Sequence, residues 1–175
     1  MLFARLQAVF SYKWYYPARI GYTEKLEEFK RISRESQIRV IILGVSRAEN
    51  AIDPMRIYKA SGIQSFNFSS NGQYPAMSYA FCAEAFRHSS PQVVLLDISS
   101  FFRSDDSFLN QYKFVLDTLP LRKNKVELAK KYVEYYPKNQ QIGALCEALL
   151  PMYAYHGRWS QLSASDFISV TRIIM

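Results

Sequence analysis

The hydrophobic pattern of this chain alternates between short apolar runs and helix-period stretches over its first hundred residues, and only the helix period continues after that. Residues 38–43 (IRVIIL) form a β-branched run that stops at Gly44, with Ser46 two positions on. Such a run suits a strand buried on both faces. QSFNFSS (64–70) and QVVLLDIS (92–99) carry two further strand signals. Between them, the spacing predicts helices. Residues 23–34 (TEKLEEFKRISR) place Leu26, Phe29 and Ile32 on one face, with Thr23 as candidate N-cap. Asp53-Pro54 marks the start of a helix over 54–61, closed by Gly62. After the Asn71-Gly72 turn comes a helix over 74–88. Residues 105–117, 122–135 and 139–150 are expected to be helical, broken at Pro120, Pro137 and Pro151. The first twenty residues look irregular, and 155–167 reads as a loop before a last helical or extended piece.

Strands separated by single helices imply right-handed crossovers and a parallel sheet. In such sheets ligands bind outside the carboxyl ends of the strands. All three predicted strands end there in small or polar residues: Gly44-Val45-Ser46, Ser69-Ser70-Asn71-Gly72 and Asp97-Ile98-Ser99-Ser100. Ser46 is therefore the first candidate for chemistry, although a serine before a helix is also a common N-cap. Asp97 has two readings, orienting groups of a site or capping the next turn. Arg47 is a candidate partner for an anionic substrate group or for Glu49.

Composition narrows the classes. A chain of 175 residues with 49% apolar and 21% charged residues suits a globular domain. The chain has 13 Tyr, 12 Phe and 2 Trp, with tyrosines bunched in KWYYP and KKYVEYYP, where plain packing is favoured over a sugar-binding groove or an interface. The net charge of +7 is uneven: residues 1–40 and 119–175 each carry eight Lys/Arg against four Asp/Glu, while 41–118 carry six against seven. No compact basic run or nucleic-acid motif occurs, so nucleic acid is not an expected partner; anionic lipid or glycan suits the basic flanks. GVSRAEN has one glycine where phosphate-cradling loops use several, which disfavours nucleotide binding. Cys82 and Cys146 are expected as buried thiols, and no spacing suggests a metal or another cofactor. No stretch reaches the ~20 apolar residues of a membrane span, and MLFARLQAVF lacks the features of a secretory signal.

The tracts LGVSRAENAIDP, GIQSFNFSSNGQYP and SSPQVVLLDISSFF resemble the first three blocks of the SGNH (GDSL-like) hydrolase superfamily. The nearest branch is the bacterial extracytoplasmic one associated with cell-surface polysaccharide acylation. YHGRW (155–159) is similar to a tract of that branch's helical insertion. The resemblance covers 38–102 well and 112–167 more loosely. It implies a three-layer α/β/α, flavodoxin-like fold with a parallel sheet and a helical C-terminal appendage. The implied divisions are 1–37 as an N-terminal segment and helix, 38–102 as the core, and 103–175 as a truncated helical insertion.

The implied function is a serine esterase or O-acyltransferase acting through an acyl-enzyme on Ser46. Acylated glycan or cell-surface polysaccharide would be the partner at the site, and a membrane-bound acyltransferase the protein partner. Ser46 would be the nucleophile, Gly72 an oxyanion-hole donor, Ser99 a weak substitute for the third-block Asn, and Arg47 and Asn71 substrate-binding residues. The Asn67 to Gly72 spacing agrees with the second block. The sequence departs from the family in having no D-x-x-H block. A serine at its free pKa needs an adjacent base. His156 is the candidate within the chain, and a base and its partner beyond Met175 are the stronger expectation. His88, at a helix end, is expected to be structural. The alternative function is a non-catalytic partner protein of the same fold in a surface-polysaccharide system. The implied location is the extracytoplasmic face of a bacterial membrane.

Overall fold

The computed structural model describes residues 17–102 and 109–150, together with Tyr153 and Ser160. Helix α1 spans Pro17–Glu35, followed by strand β1 (Val40–Leu43) and the short helix α2 (Ser46–Ala51). Helix α3 (Pro54–Ser61), strand β2 (Ser65–Asn67), helix α4 (Pro75–His88) and strand β3 (Val93–Leu96) come next. A 3-10 turn at Ile98–Phe102 leads on to α5 (Leu109–Thr118), α6 (Lys123–Val133) and α7 (Gln141–Leu149).

The three strands form one all-parallel sheet in the order β2-β1-β3. The sheet and its helical crossovers agree with the expected α/β class. Ile41 registers with Phe66 on one side and Val94 on the other. Because side chains alternate along a strand, Ile41 and Leu43 point to one face, where they join Phe66, Phe68, Leu26, Phe29 and Phe81 in the core. Four of these rings pack directly, with Phe29–Phe68 centroids 4.8 Å apart and Phe68–Phe81 stacked at 5.3 Å. Ile42 is fully buried towards the opposite face. Asn67, on that same side, donates to the Ala48 and Ile52 carbonyls at 3.0 and 2.9 Å and so holds the α2–α3 link against the sheet.

Helices α5–α7 contribute Tyr112, Phe114, Val115, Leu116, Leu119, Leu128, Ala129, Tyr132 and Ala148 to the same core as α1 and α4. The tyrosines of KKYVEYYP serve packing, as favoured from the sequence: Tyr132 is buried, and its ring lies 5.2 Å from Tyr136 and 6.2 Å from Tyr112.

Several boundaries move. α1 begins at Pro17, six residues before the expected Thr23 cap. Proline's fixed φ and missing N–H suit the first helical turn, so Pro17 opens a helix instead of breaking a pattern. Thr23 lies inside α1, with its hydroxyl 3.2 Å from that of Thr118. The Asp53 cap holds: its carboxylate accepts the Met55 N–H at 2.8 Å, and Gly62 closes α3 at φ 69°. The two cysteines are free thiols, half-buried where full burial was expected. Desolvation pushes the Cys82 thiol up from its ordinary pKa.

β3 departs most from the sequence reading. It is the cleanest apolar run, yet Val93, Val94, Leu95 and Leu96 remain 39–47% exposed. It pairs with β1 along one edge, and no described strand covers its other edge.

Candidate functional site

The carboxyl ends of the three strands meet through their backbones. Beyond β1, the Gly44 carbonyl accepts the Ser70 N–H at 3.1 Å, and the Leu43 carbonyl accepts the Asp97 N–H at 2.8 Å. Gly44 is required by this approach. A Cβ placed on it would lie 2.4 Å from the Asp97 Cβ and 3.1 Å from that of Ala48. The glycine that ends the β1 run thus lets β1 and β3 converge beneath the turn carrying Ser46.

Ser46 is the first residue of α2, and Val45 occupies the N-cap with extended dihedrals and no side-chain cap bond. The capping role open to Ser46 from the sequence is therefore not the one it takes. Ser46 is half-buried. With Arg47, Asn50 and Ala51 it lines an open depression of 310 Å³. Arg47 is exposed and does not pair with Glu49. Glu49 turns instead to Lys25 of α1, whose Nζ lies 2.6 Å from Oε1.

Asp97 sits directly after β3. Its Oδ1 accepts the Ser99 backbone N–H at 2.9 Å. This bond is the main reason its pKa is held below the usual carboxylate value, against the opposing effect of burial. The Ser99 hydroxyl, the Val45 backbone N–H and the charge of Arg47 lower it further. Oδ2 is buried and makes no hydrogen bond of good geometry. Asp97 therefore caps the 3-10 turn and also faces the start of α2.

The second strand end is built as a rigid loop. Asn67 Oδ1 accepts the Ser69 N–H at 2.9 Å, and Gly72 is buried in the left-handed region at φ 66°. Ser70 Oγ lies 2.8 Å from both Tyr22 Oη and Gln73 Oε1, while Gln73 Nε2 donates to Ser78 Oγ at 2.9 Å. The Tyr22 hydroxyl donates to Gln111 Oε1 at 3.0 Å. Its pKa is pushed up to about 12, chiefly by desolvation. Lys25 Nζ completes the loop's support by donating to the Ser69 carbonyl at 2.6 Å.

Ser46, Arg47, Gly72, Asn71 and Ser99 thus all lie at one end of the sheet, with Asn71 exposed and Ser99 half-buried. His156 lies outside the described residues. His88 is at the opposite end. It closes α4 with Nε2 3.2 Å from the buried Glu84, and the next residue, Ser89, bonds to the Ile38 carbonyl ahead of β1. Sequence reasoning missed Tyr22 and Lys25. Both are polar residues on a helix distant in sequence from the strand ends, and they differ from solvated positions only through the tertiary contact. Asn67 was legible only through its spacing to Gly72, not through its bonds to α2. Among the described residues, no group of His, Cys, Asp or Glu could hold a metal ion.

The fold and strand ends together define a small α/β domain with a three-stranded parallel sheet flanked by helices. Comparison with family models, curated proteins and solved structures yields no match.

Proposed function

We propose that the chain carries the nucleophile-bearing part of an SGNH-type serine esterase or O-acyltransferase acting on cell-surface glycans. One observation carries this reading: a half-buried serine opens a helix directly after the central strand, at the sheet end where the Gly72 and Asp97 turns converge. The order β2-β1-β3 agrees with the start of the doubly wound order in which ligands lie beyond the strand ends. In the proposed reaction Ser46 Oγ attacks the acyl carbonyl and loses its proton to a general base. The oxyanion accepts backbone N–H groups of Ser46 and Gly72. Collapse expels the donor alcohol, which takes a proton, and leaves an acyl-serine. A glycan hydroxyl or water then attacks that ester, regenerating Ser46. An oxyanion donor of this kind is worth about 3 kcal/mol in the transition state. Arg47 and Asn71 would contact the glycan, Ser99 would be the weaker third donor, and a membrane-bound acyltransferase would supply acyl groups.

The base is the open element, and His156 is the first residue to test. Labelling the purified chain with a fluorophosphonate probe, read by intact mass, decides the matter. A single adduct lost in Ser46→Ala supports the enzyme, and its loss in His156→Ala names the base. The alternative is a non-catalytic partner of the same fold in a surface-polysaccharide system. The position of His88, the one described histidine, away from Ser46 favours it. No adduct on the wild-type chain together with none on one extended beyond residue 175 would decide for the partner.

A further inference from the structure

Helix α1 lies outside every tract that suggested chemistry, yet it supplies the strongest polar contacts at the strand ends. Lys25 Nζ makes two bonds of 2.6 Å, one to Glu49 Oε1 on α2 and one to the Ser69 carbonyl ahead of Gly72. Ser46 and Glu49 are one turn apart on the same short helix. A single half-buried ammonium therefore joins the turn bearing the nucleophile to the turn bearing the oxyanion glycine. Tyr22, three residues earlier on the same face of α1, supports the same loop through Ser70. The two Lys25 bonds are charge-assisted, roughly twice as strong as neutral ones, and the one to the Glu49 carboxylate also pairs opposite charges. With only 28% of the Lys25 side chain exposed, solvent competes weakly for it.

We infer that Lys25 is a positioning residue that sets the distance between Ser46 and Gly72. This rests on the acyl-transfer reading for its functional meaning, but its structural content stands apart from it. Lys25 acts through these contacts and not on the substrate: its Nζ is committed to the Glu49 carboxylate and the Ser69 carbonyl. Its role is to hold the Ser69–Gln73 loop and α2 in the one arrangement that an acyl carbonyl would bridge. A shift of about 1 Å between two such groups can cost a hundredfold in rate.

The test uses the full chain with Lys25→Met, which keeps the aliphatic stem, and Lys25→Arg, which keeps the charge. Two quantities are read: the rate of fluorophosphonate labelling at Ser46, and hydrogen exchange of the Ser70 amide, which bonds to the Gly44 carbonyl at 3.1 Å. Lys25→Met is expected to slow labelling at least tenfold and to speed Ser70 exchange at least tenfold, with the Ile41 and Ile42 amides unchanged. Lys25→Arg restores most of both. Glu49→Gln, which keeps the shape of one acceptor, gives a smaller change in the same direction. Wild-type labelling and wild-type Ser70 exchange in Lys25→Met would overturn the inference. So would exchange that rises equally at Ser70 and throughout β1, because that marks a purely global effect. If neither the wild-type chain nor one extended beyond residue 175 takes label, the acyl-transfer reading fails, and the Ser70 amide alone still decides whether Lys25 joins the two turns.

Discussion

Strands β1 and β3 are nearly the same object chemically, Val-Ile-Ile-Leu against Val-Val-Leu-Leu, and they lie side by side in perfect register. Their environments are opposite. Ile41, Ile42 and Leu43 are buried, between α1 and α4 on one side and the α2–α3 link on the other. All four β3 residues remain well exposed. Parallel strands are normally covered on both faces, so apolarity alone does not tell a central strand from an edge. Pairing differs too, since β1 bonds to a strand on each side and β3 to one among the described residues. But β2 also bonds to one and has Ser65 and Phe66 buried, so helix cover and not edge position sets the exposure. The consequence is that the strand ends converge around β1. Its carboxyl end carries Ser46 and meets both neighbouring turns, whereas β3 contributes one anchored carboxylate.

Removing one side chain from each strand breaks the comparison most directly. Ile41→Ala is expected to cost about 3 kcal/mol, since it leaves a cavity at a fully buried position in register with Phe66 in the core. Val94→Ala, at the position in register with it, is expected to cost under about 1 kcal/mol because solvent already reaches the site. Urea unfolding of the two variants measures both, and equal losses would mean that β3 is covered in solution. Next in size comes the joint between the strands. Gly44→Ala must displace Asp97 or the β1 end, at a cost of about 2 kcal/mol. Its thermal midpoint should fall, and any Ser46 labelling should fall with it.

A smaller effect is expected in acid. The Asp97 pKa is depressed in the folded state, so the stability it contributes is present above the unfolded carboxylate value of about 3.9 and is lost as pH falls through the folded value. Asp97→Asn should flatten this part of the stability profile below pH ~4 while leaving the neutral range nearly parallel to wild type; an unchanged acid limb would show that the carboxylate is not held as described. The smallest change in stability belongs to the open edge. Leu95→Lys is expected to alter unfolding by within about 0.5 kcal/mol and to reduce self-association measured by sedimentation, because a lysine on an edge strand discourages strand-to-strand pairing. A large loss of stability there would show that Leu95 is a core residue.

Some of this was legible in the residues themselves. The β-branched run ending at Gly44, the Asp53-Pro54 start with its Gly62 stop, and the Asn71-Gly72 turn are local signals, because backbone sterics and capping bonds act over a few residues. They place Ser46, Gly72 and Asp97 at strand ends, and alternation of strand and helix forces the sheet to be parallel. The start of α1 was missed because a proline can open a helix as readily as it interrupts one. Glu49 was offered to Arg47, its neighbour in sequence, and went to Lys25, 24 residues away.

By itself, then, the sequence determined which segments become strands and helices and which polar residues stand at the strand ends, since those outcomes follow from short-range geometry and apolar periodicity. The tertiary structure alone decided that β1 is central and β3 lies at an edge, that Gly44 must lack a Cβ to admit Asp97, and that Tyr22 and Lys25 of α1 support the loop beneath Gly72. Burial and charge pairing are properties of groups brought together from distant parts of the chain, and no local pattern records which partner each will meet.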